Sequence, residues 1–138
     1  MSSSASWTIR LDVAAFATVE DELVGFLGAN AVEGRAAYVS QLVIEEIVRN
    51  LIEHTPPYAP LETVTVSIVV DAQDVRVVIE DSRPPFNPFD APELDVRAPL
   101  HARRPGGMGL HLVRTLTDTL TYERSSGRNR LSASVSRS

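Results

Sequence analysis

The chain has 138 residues, 43% of them hydrophobic and 22% charged, which suits a single domain that buries a core without covalent staples. A net charge of −5 argues against a sequence-independent grip on nucleic acid, and the lack of cysteine removes disulfides, thiolate catalysis and cysteine metal sites. All thirteen basic residues are arginine, so a P-loop, which needs its lysine on the phosphates, is excluded. An acidic surface still leaves room for a nucleotide in a small, locally positive cavity. No apolar run approaches a membrane span, and the N-terminus lacks the charged and apolar regions of a secretory leader, so a cytoplasmic location is the expectation.

In chain order, residues 1–6 read as a Ser-rich disordered tail and residues 7–138 as one domain. Trp7 to Val13 alternates apolar and polar, the period of a half-buried strand. Phe16 to Gly28 carries Val19, Leu23, Val24, Phe26 and Leu27 at helical spacing, and Glu33 to His54 makes a longer helix that Pro56 and Pro57 stop. Thr63–Val70 and Val75–Glu80 are β-branched runs flanking a short turn, which predicts an antiparallel hairpin. The stretch 83–105 holds most of the nine prolines and no periodicity, the mark of a lid or binding loop. Beyond a glycine cluster, Leu110–Leu120 is helical in pattern, and Leu120–Arg124 with Arg130–Val135 forms a second hairpin around Ser126 and Gly127. Strands joined by tight turns between helices predict an α+β fold: a mixed, mostly antiparallel sheet with helices on one face, a two-layer sandwich.

Three stretches carry chemistry. On the long helix, Ile44, Ile47, Val48, Leu51 and Ile52 cover one broad side and Gln41, Glu45 and Arg49 a solvent stripe. Glu46, Asn50 and His54 fall on neither; they share a face with Val39 and Val43, and groups four apart lie one above the other. Either this face lines a cavity where Glu46 and Asn50 meet a ligand or metal, or the helix has two solvated sides. Asp81 ends an apolar strand before a proline-rich turn. Alone it reads as a turn-former, although a carboxylate there also suits the exocyclic amine of a purine. Gly106, Gly107 and Gly109 open a helix whose first N–H groups are unpaired, an arrangement that suits an anion, and Arg103 and Arg104 precede them as candidate phosphate contacts.

The order of these features resembles the histidine kinase-like (GHKL, or Bergerat) ATPase superfamily, and within it the bacterial anti-sigma factor and serine/threonine kinase family. The resemblance rests on Glu46/Asn50/His54, Asp81/Pro85/Phe86, Gly106/Gly107/Gly109 with Leu110, Leu112 and Val113, and Tyr122/Arg124/Gly127/Asn129. It implies the GHKL sandwich with ATP and Mg²⁺ as cofactors. Asn50 would hold the metal, Glu46 would be the general base toward a serine hydroxyl, and Asp81 would bind the adenine amine. Gly106, Gly107 and Gly109 would shape the phosphate loop and lid hinge. It further implies a STAS-domain anti-anti-sigma protein as substrate, a sigma factor as second partner, and a homodimer. One position departs from the pattern: Arg83 stands where glycine is usual, so its side chain must either leave the pocket or turn to the phosphates. That departure motivates a competing reading, a partner-sequestering module that binds nucleotide weakly or not at all. The catalytic domain of a histidine kinase fits less well, because the chain has no second domain for a phosphoacceptor helix. His54 reads as a cap on the last helical carbonyls.

Overall fold

A computed structural model describes residues 2–55, 62–90 and 107–138. Five strands, β1 (Ser3–Arg10), β2 (Thr63–Val70), β3 (Asp74–Asp81), β4 (Thr119–Ser125) and β5 (Arg128–Ser136), form one sheet in the order β1-β2-β3-β5-β4. Every neighbouring pair is antiparallel. Three helices join them: α1 (Val13–Ala29), α2 (Gly34–Glu53) and α3 (Gly107–Leu116). This is the expected α+β sandwich.

Strand alternation decides which sheet face is covered. Val64, Val66, Ile68 and Val70 of β2 are buried, as are Val75, Val77 and Ile79 of β3 and Leu131, Ala133 and Val135 of β5. α2 packs over β3 and β5 with Val39, Val43, Ile44, Ile47, Val48 and Leu51, while α1 lies on β1. The face shared by Glu46 and Asn50 is therefore core at its start, where Val39 and Val43 are fully buried, and becomes a site only in its last turns.

Three boundaries differ from the sequence expectation. Residues 3–6 are strand rather than tail, because β1 pairs residue for residue with β2 from Ser3↔Val70 to Arg10↔Thr63. β1 stops at Arg10 rather than Val13, because Asp12 caps α1, its Oδ1 accepting the N–H of Ala15 at 2.7 Å. α3 ends at Leu116 rather than Leu120, because Thr119 and Leu120 pair with Ser134 and Ala133 of β5. The β4–β5 hairpin closes through Ser126 (φ 54°) and Gly127 (φ 74°), two left-handed residues that match the twist of a two-residue turn.

The end of α1 offers a direct test of backbone strain. Val32 N–H reaches the Leu27 carbonyl and Ala31 N–H that of Gly28, the paired bonds of a Schellman cap. Such a cap wants glycine at its left-handed position, yet that position is Ala31, exposed and at φ 58°. Ala31→Gly should stabilise the fold by about 1 kcal/mol. In thermal denaturation the midpoint should rise by roughly 3 °C.

Candidate functional site

The last turns of α2, the end of β3 and the start of β5 converge at one end of the sandwich. The β3–β5 register sets Asp81 opposite Asn129, and the β4–β5 register sets Arg124 opposite Asn129 on the other side. Asp81 and Asn129 are both buried. Asn129 Nδ2 donates to Asp81 Oδ1 at 2.9 Å and to the Pro84 carbonyl at 3.1 Å. Its Oδ1 accepts from the Phe86 N–H at 3.2 Å, from the Tyr122 hydroxyl and from Arg124 Nη1 at 3.3 Å. One amide thus ties the carboxylate, the following loop and β4 together. Asn129 stood only as a late element of the motif pattern, not as a site residue. Its role depends on a strand register that sequence spacing does not reveal.

Asp81 forms the turn read from the sequence and also reaches a pocket. Its Oδ1 also accepts the N–H of Arg83 at 3.0 Å, a turn-forming bond, while the residue lines a narrow pocket. Ile47 and Leu51 of α2 form one wall of that pocket and Ile79 and Leu131 the floor, with Phe86 and Pro88 over the top. The closed space is small, about 10 Å³ or room for one water, and it is apolar but for Asp81, Asn129 and the Tyr122 hydroxyl.

Along α2 from this pocket, Asn50 Oδ1 is buried and has no hydrogen-bond partner among the described residues. Buried acceptors are rarely left unpaired, so this oxygen is set up for a donor or cation that arrives with a ligand. Glu46 lies one turn earlier, its side chain 14% exposed and paired with Arg49 Nη1 at 3.1 Å. Arg49 is 53% exposed and also meets Glu45 at 3.3 Å, so the pair holds Glu46 only weakly.

Gly109 packs directly on Glu46: a Cβ there would collide with the carboxylate. Among the described residues, only Gly34 and Gly127 of the glycines have positive φ, so Gly109 is required for close approach and not for an unusual dihedral. Gly107 begins α3. Gly106, Arg103, Arg104 and most of the expected lid lie outside the described residues. The described part of that lid is fastened: Phe86 stacks on His54 with ring centroids 4.7 Å apart, and Arg114 Nη2 donates to the Phe89 carbonyl at 2.7 Å.

His54 caps α2 as expected, its Nδ1 2.8 Å from the Asn50 carbonyl; a carbonyl only accepts, so Nδ1 carries the proton. Arg83 takes the first direction foreseen from the sequence and leaves the pocket, though its destination was not foreseen. It does not line the pocket, and its guanidinium binds the carbonyls that end α2, Nη1 to Leu51 at 3.1 Å and Nη2 to His54.

No described helix is long and apolar enough to cross a membrane. No curated protein matches the chain. Among solved structures, the RsbU and RsbW domains of Rv1364c from Mycobacterium tuberculosis share the fold, with a TM-score of 0.67 at 16% identity. That match covers 98% of this chain and 32% of the other, so the chain spans about a third of its solved relative. The model of the histidine kinase-like ATPase domain matches residues 9–135, nearly the whole sandwich, and the chain belongs to that family.

Proposed function

We propose that the chain binds ATP with Mg²⁺ and transfers the γ-phosphoryl group to a serine or threonine of a STAS-domain anti-anti-sigma partner. In the same reading it works as a cytoplasmic homodimer that holds a sigma factor inactive. The observation that carries the nucleotide half is the buried Oδ1 of Asn50, without a partner among the described residues, one helical turn from Glu46 and on the same helix as the wall of the Asp81 pocket. An amide oxygen suits a hard cation. Among the described residues no three His, Cys, Asp or Glu come together, so an ion at Asn50 would take its other oxygens from phosphates and water, the usual habit of Mg²⁺. That ion would supply neutralisation of phosphate charge.

In this reading the chain's own residues do the rest. Asp81 accepts from the base amine while Ile47, Leu51 and Ile79 exclude water from the ring. Glu46 takes the proton of the incoming hydroxyl, releasing its exposed partner Arg49. Gly106, Gly107 and Gly109 form the phosphate loop, with Arg103 and Arg104 beside it. The partner-only alternative drew its support from Arg83, and that side chain points away from the pocket toward the end of α2.

Labelled ATP and a STAS-domain protein from the same organism test the proposal. Transfer should occur, and Glu46→Gln should reduce it by at least about 100-fold while leaving Mg-ATP affinity nearly unchanged. Transfer that ignores the substitution would remove Glu46 from the chemistry; ATP that fails to bind in calorimetry would leave only a sequestering module. Light scattering checks the homodimer.

A further inference from the structure

Two side chains that bind backbone carbonyls meet at Arg83. Its guanidinium holds the Leu51 and His54 carbonyls at the end of α2. Its own carbonyl accepts from Arg124 Nη1 at 2.6 Å and from Asn129 Nδ2 at 3.4 Å, and its N–H is held by Asp81. The final carbonyls of a helix have no partners inside it and carry partial negative charge. α2 has no basic residue in its last turn, so the cation that complements this end arrives from another element, the loop after β3. Arg83 is half-buried and its φ is not positive, so the turn after Asp81 forms without glycine.

We propose that Arg83 is a positioning residue that latches the loop 82–86 onto the end of α2 and thereby sets nucleotide affinity. This rests on the nucleotide reading given above. The latch joins the two walls of the pocket: Leu51 on α2 supplies both a carbonyl to the guanidinium and an apolar contact to the cavity, and Asp81 holds the Arg83 N–H. Phe86, three residues on, is fixed by Asn129 and by its stack on His54, whose carbonyl the same guanidinium grips. Loss of the guanidinium frees α2's last turn and the Phe86 roof together. Arg83→Gly, which installs the residue of the motif pattern, is therefore expected to weaken ATP binding, although a glycine at that position would otherwise be read as the better fit.

The test combines Mg-ATP calorimetry with amide hydrogen exchange on the ligand-free protein, for the parent, Arg83→Gly and Arg83→Lys. Arg83→Gly should lose roughly tenfold in affinity and raise KM by a like factor, with kcat nearly unchanged, because Glu46 sits two turns before the latch. Exchange at the amides of Phe86 and Thr55 should accelerate without ATP present. Arg83→Lys, which keeps a cation at the helix end, should recover part of both. Equal or tighter ATP binding by Arg83→Gly overturns the proposal, as does unchanged exchange or the absence of any recovery by lysine. A parent that fails to bind ATP overturns the nucleotide reading and the affinity half with it, while exchange still decides the latch. Should Arg83→Gly not fold, the lysine variant carries the comparison.

Discussion

Asp81→Asn should cost Mg-ATP affinity by roughly 10- to 100-fold, the largest loss expected from any exchange of equal size in this chain. The carboxylate has two oxygens, and Oδ1 already accepts both the Asn129 amide and the Arg83 N–H. An asparagine keeps one oxygen only. If that oxygen stays with Asn129, the new NH₂ turns into the pocket and meets the base amine donor to donor. If the amide flips, it meets Asn129 Nδ2 instead, and a buried donor loses its acceptor at about 1–3 kcal/mol. Either orientation opposes binding, and the second also lowers the thermal midpoint. Calorimetric titration decides the matter: affinity equal to that of the parent would remove Asp81 from base recognition.

Gly109→Ala should damage phosphoryl transfer far more than folding. The helical backbone at Gly109 accepts alanine, and alanine gains about 1 kcal/mol in intrinsic helix preference over glycine. What the new methyl meets is the carboxylate of Glu46, the far end of a flexible side chain, so the collision is relieved by moving that carboxylate. A general base displaced by about 1 Å loses on the order of 100-fold in rate. ATP affinity should fall less than the transfer rate, since Gly109 belongs to the proposed phosphate loop but neither Asn50 nor the Asp81 pocket is touched. Transfer assays alongside thermal denaturation separate the two effects. A variant that transfers at the parent rate would show that the Glu46 carboxylate does not need its present position.

The same two residues mark where sequence reading runs out. Glu46 and Asn50 stand four apart on a helix, and that spacing alone puts their heads in one volume. Whether the volume is solvent or a pocket depends on what packs over the helix, and α3 with Gly109 decides it from 63 positions away. Asp81 is legible as the end of a strand, but its partner Asn129 follows 48 residues later and meets it only through the β3–β5 register.

Local physics determined most of the architecture. Alternating β-branched runs dictate the hairpins, the 3.6-residue period dictates the buried side of α2, and left-handed residues dictate the β4–β5 turn. The early strand was hidden because Ser3 to Ser6 carry little hydrophobic signal of their own; pairing with β2 supplies what their side chains do not. Arg83 shows the same division. Its presence after Asp81 is plain in the chain, and by sequence it reads as a defect in a turn that usually takes glycine. Only the tertiary structure brings the end of α2 within reach of its guanidinium, where helix-end carbonyls with partial negative charge accept it, that of Leu51 beside the Thr55 hydroxyl.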